Sequence, residues 1–298
     1  MKSLSPIHPL THSPTHHTSP LPQTPPPTKI PTMLLALDIG NTNTTIGVWD
    51  GQAWQQHWRL LTIPERTADE AGILLKAMLR EAGLGTAVTH IILASVVPPL
   101  TDTFYRACQR YLGRDPQEVT VRLDLGLRIL TDNPEAVGAD RLVNAIAAYH
   151  HHPGPSIVLD MGTATKFDVV AADGAFVGGV IAPGLQLTAD ALVSRAAKLS
   201  QVSLTPPPQT IGRNTVHAMQ SGLIFGYVGL IEGLIIRLKA EHPNTGQPIS
   251  VLGTGGLIDL IAPHTAVIDH VDPWLTLNGL RLIHERLSGG REAKSGER

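Results

Sequence analysis

The chain has 298 residues, 42% of them hydrophobic, which is enough apolar material for one large domain or two smaller ones. Charged residues make up 16%, the formal net charge is −2 and aromatics are 4%, so neither a nucleic-acid surface nor a stacking platform for single strands is encoded. Cys108 is the single cysteine, which excludes an internal disulfide, suits a reducing, cytoplasmic compartment and reads as a small buried hydrophobe.

Residues 1–32 are dominated by Pro, Thr, Ser and His and lack both the apolar run of a signal peptide and a helical period. That composition cannot offset its ordering entropy, so a disordered tail is expected, with Met33 as the start of the structured part and of translation. His8, His12, His16 and His17 read as tail residues rather than as a metal site. Residues 289–298 are expected to form a second flexible tail. The nearest approach to a membrane span, residues 223–236, is interrupted by Glu232 and reads as a buried helix.

Residues 34–51, LLALDIGNTNTTIGVWDG, predict a β-hairpin: an apolar strand ending in Asp38, a polar corner, and a β-branched return strand. Small residues with free backbone N–H groups, with the hydroxyls of Thr42, Thr44 and Thr45, suit phosphate oxygens, and the Asp38 carboxylate suits a Mg²⁺ that shields them. An ordinary hairpin with an Asx-turn fits the same residues. A third strand is expected over 54–61 and a helix over 68–81, where Thr67 and Glu70 have the spacing of a capping box. The continuous run HIILASVV, residues 90–97, predicts a strand buried on both faces of a mixed sheet. A helix over 100–112 and a short strand over 119–123 complete this half.

The second half repeats the first. Residues 156–174, SIVLDMGTATKFDVVAADG, show the same apolar strand ending in Asp160, a similar glycine-bearing corner and a β-branched return. A third strand follows over 175–181. Two such corners about 120 residues apart predict a duplicated α/β fold with a ligand cleft between halves 33–150 and 151–288. That is the build of the ribonuclease-H-like, actin-like ATPase superfamily, with sugar kinases and Hsp70 ATPases, and fold alone fixes no function. Between the corners, Gly138-Ala139-Asp140-Arg141 opens a helix, so Asp140 can cap free N–H groups as well as act on a substrate. Arg141 can pair with a carboxylate of the substrate or of the protein. After a helix over 187–199, a long helix ends near residue 241 and carries Gly222, Gly226, Gly229 and Gly233 on one face, which predicts another backbone packed against it, inside the fold or across a dimer. A glycine-rich turn, Gly253-Thr254-Gly255-Gly256, closes a late strand and suits the adenosine half of a nucleotide.

With these motifs in order, the sequence resembles the type III pantothenate kinases. The resemblance rests on Asp38-Ile39-Gly40-Asn41-Thr42, Gly138-Ala139-Asp140-Arg141, Asp160-Met161-Gly162-Thr163-Ala164, Gly178-Gly179-Val180-Ile181-Ala182-Pro183-Gly184, Ile211-Gly212-Arg213-Asn214-Thr215 and Leu275-Thr276-Leu277-Asn278-Gly279-Leu280. It implies transfer of the ATP γ-phosphoryl group to pantothenate in a cytoplasmic homodimer, with Mg²⁺ and with K⁺ or NH₄⁺. It further implies an ATP-phosphate corner of Asp38, Ile39, Gly40, Asn41, Thr42, Asn43, Thr44 and Thr45, with Thr163 as an ATP contact and Asp38 on Mg²⁺ through the phosphates. Gly138, Ala139, Asp140, Arg141 and Thr215 become pantothenate contacts, Asp140 the general base and Asp160 the monovalent-cation ligand. Lys166 stands where many members carry threonine, either approaching phosphate and partly substituting for the cation or pointing to solvent. Thr131 stands where an aromatic residue is common. A regulatory accessory factor of the same family that binds nucleotide without kinase activity would lack the catalytic corner, whereas Asp38, Asp140 and Asp160 are all present. A sugar or acetate kinase or a chaperone-type ATPase would lack the Gly-Ala-Asp-Arg helix start and the Leu-Thr-Leu-Asn-Gly-Leu ending.

Overall fold

The protein was analysed as a computed structural model, which describes residues 33–85, 87–195 and 199–295. The expectations for residues 1–32 therefore lie outside the described residues. Strand β1 (Met33–Ile39) shows why the first sheet is buried on both faces. Leu34 and Ala36 point into one hydrophobic cluster, while Leu35, Leu37 and Ile39 point into another. This is the period of two that a strand imposes, with apolar residues at every position.

Strand β1 pairs antiparallel with β2 (Asn43–Trp49), which pairs antiparallel with β3 (Trp54–Leu61). On its other edge β1 pairs parallel with β4 (Val88–Ser95), followed by a two-residue β5 (Gln117–Glu118). Helix α1 (Ala68–Glu81) carries the expected capping box, Thr67 accepting the Glu70 N–H while the Glu70 carboxylate accepts the Thr67 N–H. Helix α2 starts at Pro98, earlier than the expected residue 100, because proline is favoured in a first helical turn. It runs to Ala107 and continues as one π-helical turn, Cys108–Leu112, ended by Gly113 at φ +65°. Cys108 is fully buried there, and burial pushes its thiol up to about 12. The strand expected over 119–123 is displaced to β5, since the chain turns at Leu123, whose N–H bonds back to the Thr120 carbonyl.

The second half repeats this pattern strand for strand. After α3 (Ala139–His151), β6 (Ser156–Met161), β7 (Ala164–Val170) and β8 (Phe176–Pro183) form an antiparallel ribbon. Strands β9 (Ser250–Thr254) and β10 (His270–Val271) then add in parallel beyond β6. The sheet orders β3-β2-β1-β4-β5 and β8-β7-β6-β9-β10 are the same. Helices α4 (Leu185–Arg195) and α5 (Thr215–Glu241), with the short α6 (Ile258–Ile261), cover the outer face of the second sheet.

Helix α3 and α7 (Leu275–Ser295) pack on each other and contribute to one cluster with Leu34, Ala36 and Ile92 of the first sheet and Val158, Val170 and Leu252 of the second. The Leu-Thr-Leu-Asn-Gly-Leu motif makes that docking. Asn278 Oδ1 accepts from Trp54 Nε1 at 3.0 Å, and Thr276 Oγ1 bonds Asn144 Oδ1 at 2.8 Å. A Cβ on Gly279 would stand 2.2 Å from the Val143 carbonyl oxygen, so only glycine permits this approach. One expectation is corrected here, and one of two alternatives, that another backbone of the fold packs on the α5 glycines, is not met. The tail expected from residue 289 is helical as far as Ser295, its Arg, Glu, Ala and Lys being good helix formers. Helix α5 buries one face only: it carries Leu223, Ile224, Tyr227, Ile231 and Ile235 in the core, while Gly222, Gly226 and Gly229 meet nothing within 4 Å. By length and composition α5 could cross a membrane, but that apolar face is part of the fold's own core.

Candidate functional site

The first corner is set by β1 and β2. The Gly40 N–H bonds the Asn43 carbonyl at 3.0 Å, leaving Asn41, Thr42 and Asn43 exposed at the tip. The second corner is one residue shorter, with the Gly162 N–H bonding the Ala164 carbonyl at 3.2 Å. The two tips touch: Thr42 Oγ1 lies 2.6 Å from Thr163 Oγ1, so residues 121 apart share one hydrogen bond. Not every threonine of the corner is available. Thr44 is fully buried with its hydroxyl 3.1 Å from Thr62 Oγ1, which itself donates to the Gly40 carbonyl. Its counterpart Thr165 is buried against the Tyr227 hydroxyl, which bonds the Pro183 carbonyl. Ile39 is likewise wholly core. These three residues shape the corners, whose touching tips carry the Thr42 and Thr163 hydroxyls.

The strand-end carboxylates converge with Asp140. Asp38 is pushed up to about 7, first by burial and then by the charges of Asp140 and Asp160, with Lys166 and Arg59 opposing. Asp140 occupies the first turn of α3, whose cap residue Gly138 offers no side chain. Its Oδ1 accepts the Arg141 N–H at 2.8 Å, a donor shared with the Gly138 carbonyl at 3.1 Å, and its Oδ2 lies 2.5 Å from Lys166 Nζ. The same ammonium lies 2.8 Å from Asp160 Oδ2. Burial works against the Lys166 charge, but Asp160 and Asp140 outweigh it and hold the ammonium above its ordinary range.

Arg141 points to the protein rather than to open space. Its Nε and Nη2 both lie 2.6 Å from Asp168 Oδ1, and its guanidinium stacks over Phe176. Asp168 is fully buried, its Oδ2 has no partner among the described residues, and burial, opposed by Arg141, pushes its carboxyl up to about 7. Sequence reading did not single out Asp168. The signal was there, since a charge inside the run FDVV must find a partner when the strand is covered on both faces.

Glycines bring backbone close to these groups. Gly255 sits at φ +95°, and a Cβ there would lie 2.7 Å from Asp160 Oδ1. Its turn therefore presses on the second corner. Gly179 passes the Phe167 carbonyl where a Cβ would stand 1.9 Å away, and Gly184 passes the Thr163 carbonyl at 2.1 Å. Thr215 begins α5 behind its cap Asn214, and no described hydrogen bond or ion pair joins it to Asp140. Asp38 is raised first by burial, and the charges of Asp140 and Asp160 add to that. Among the described residues no three His, Cys, Asp or Glu side chains are grouped so as to hold a metal ion unaided.

Known proteins resemble this chain in sequence and in fold. Residues 34–237 match the family model described as type III pantothenate kinase. The type III pantothenate kinase of Anaeromyxobacter sp. (strain K) is 48% identical over 255 residues, covering 85% of this chain and 99% of that protein. That of Exiguobacterium sibiricum is 46% identical with the same coverage, and that of Roseiflexus sp. (strain RS-1) is 48% identical over 85% of this chain and 98% of its own. Among solved structures, MreB5 of Spiroplasma citri bound to ADP shares the fold at TM-score 0.54 and 11% identity, over 89% of this chain and 99% of that one. The ethanolamine utilization protein EutJ of Carboxydothermus hydrogenoformans does so at 0.52 and 14%, over 88% and 91%. Both show the actin-like α/β fold expected from the duplicated corners. The chain belongs to the type III pantothenate kinase family, and it is an enzyme that phosphorylates pantothenate with ATP in coenzyme A biosynthesis.

Proposed function

We propose that Asp140 is the general base that accepts the proton of the pantothenate hydroxyl. The observation that carries this is the fixing of its carboxylate from two sides, by the Arg141 N–H on Oδ1 and by Lys166 on Oδ2. Each carboxylate oxygen keeps a lone pair for the substrate. The hydroxyl oxygen forms the new bond to the γ-phosphorus, the bond to the β–γ bridging oxygen breaks, the proton passes to Asp140 and ADP leaves. In a loose phosphoryl-transfer transition state, orientation of the hydroxyl matters more than early proton removal.

The nucleotide phosphates lie against the two corners in this reading. The exposed Asn41, Thr42 and Asn43, with Gly40 and Thr45, offer amides and hydroxyls from one side and Thr163 from the other, supported by the Thr42–Thr163 contact. Asp38 would hold Mg²⁺ together with phosphate oxygens, and such an ion supplies charge neutralisation between phosphates. Gly138 and Ala139, at the start of α3, place backbone beside Asp140 for the substrate. Arg141 positions that start through Asp168 rather than spending its charge on pantothenate, and Thr215 adds a substrate contact from the start of α5. Residues 33–150 and 151–288 are read as the two copies of a duplicated unit, supported by their common strand order. The protein acts in the cytoplasm, with neither nucleic acid nor membrane as partner, as a homodimer joined across the open glycine face of α5. That face, flanked by the exposed Val216 and Ile236, lets a second backbone come close.

The test is pantothenate-dependent ADP formation by wild type and Asp140→Asn. The wild type should turn over ATP only with pantothenate, and Asp140→Asn should lose about 10²–10⁴-fold in kcat. An Asp140→Asn enzyme with wild-type kcat contradicts the assignment.

A further inference from the structure

The paired register of the two hairpins isolates one difference between the copies. Asp38 faces Thr45 across β1 and β2, whereas Asp160 faces Lys166 across β6 and β7. One copy therefore sets a neutral hydroxyl beside its strand-end carboxylate, and the other sets a cation. The Lys166 side chain is 15% exposed, so its charge is held where water shields it poorly. Its Nζ bridges Asp160 Oδ2 at 2.8 Å and Asp140 Oδ2 at 2.5 Å. Lys166 therefore takes up one oxygen of the Asp160 carboxylate as a bound monovalent cation would.

We infer that Lys166 is a tethered monovalent cation: it bridges Asp140 and Asp160, fixes the base for phosphoryl transfer, and frees the enzyme from any need for K⁺ or NH₄⁺ in solution. This rests on the reading of Asp140 as base. Lys166 is a positioning residue, acting through the carboxylate it holds. Three carboxylates, Asp38, Asp140 and Asp160, influence one another here, and among the described residues only Lys166 is joined to two of them. An ammonium on the chain serves them at an effective concentration that no change of buffer dilutes.

The inference is tested by kcat in K⁺, NH₄⁺, Na⁺ and tetramethylammonium salts at equal ionic strength. Wild type should vary by less than about twofold across the series. Lys166→Thr, which installs the residue of the first copy, should lose about tenfold or more in tetramethylammonium and recover with K⁺ or NH₄⁺. Lys166→Met, which fills the same space without charge, should lose activity without recovery. A merely structural lysine gives no such acquired salt dependence. Strong stimulation of the wild type by K⁺ or NH₄⁺ overturns the inference, and this holds even where Lys166→Thr does not fold. A folded Lys166→Thr that is equally active, or equally inactive, in every salt overturns it too. Full activity of Asp140→Asn would sink the base assignment by a separate measurement, leaving the wild-type salt series to be read independently.

Discussion

At the residue scale, chemistry depends on which polar side chains are already committed. Thr44 looks from sequence like a ligand hydroxyl, but the pleat turns it, like Thr165 in the second copy, into the core, where Thr62 and Tyr227 satisfy the two. Arg141 can pair from sequence with a carboxylate of the substrate or of the protein, and in the fold its guanidinium pairs with the buried Asp168. Asp38, Asp140 and Asp160 were legible because each stands at a strand end or helix start, where the motif fixes direction. Their bridging by Lys166 was not legible, since a long side chain has many rotamers and only the folded register selects one. His242 carries a prediction about stability. It is 3% exposed, its Nδ1 accepts the Asn244 N–H at 3.1 Å, its Nε2 lies 3.2 Å from the Val170 carbonyl, and burial lowers its pKa. The native state therefore resists protonation that the unfolded chain accepts below 6.5. Unfolding free energy should fall as pH drops through that range, by at most about 1.4 kcal/mol per pH unit from this group. His151 and His152, also lowered by burial, add to the slope, so urea titration of His242→Gln should give a shallower pH dependence. An unchanged slope contradicts the account.

At the scale of elements, period and punctuation gave away most of the chain. The bounds of α1 follow from its capping box, and the two hairpins from alternating β-branched residues between turns. Errors gathered where tertiary contact outranks local pattern. β5 is short because only residues beside β4 can pair, and Gly222, Gly226 and Gly229 of α5 meet nothing within 4 Å although their spacing reads as a packing face. Two glycines make opposite predictions. Gly279→Ala should cost about 1–3 kcal/mol, measured as a lower urea midpoint at constant m, because its Cβ meets the Val143 carbonyl oxygen at 2.2 Å. Gly226→Glu should leave the fold intact, since nothing lies within 4 Å, and should convert the dimer to a monomer by sedimentation. A dimer that survives Gly226→Glu places the interface elsewhere.

At the scale of the whole molecule, a duplicated strand order, repeated across two sheets, brings two polar corners together beside Asp140, the carboxylate proposed as the base. The repeat was visible as two Asp-bearing corners, and their meeting at Thr42 and Thr163 is what three dimensions added. Shared packing of α3 and α7 between the sheets was hidden, because neither helix shows in sequence which sheet it serves. The central claim is a division of labour, with Asp38 on the metal–phosphate side and Asp140 on the hydroxyl. The most direct measurement is the steady-state kinetics of Asp38→Asn and Asp140→Asn, with Mg·ATP and pantothenate each varied. The account predicts that Asp38→Asn raises the KM for Mg·ATP and the Mg²⁺ requirement, whereas Asp140→Asn lowers kcat with little change in the Mg·ATP KM. An Asp140→Asn enzyme that keeps its kcat, or two variants with the same kinetic defect, would contradict it.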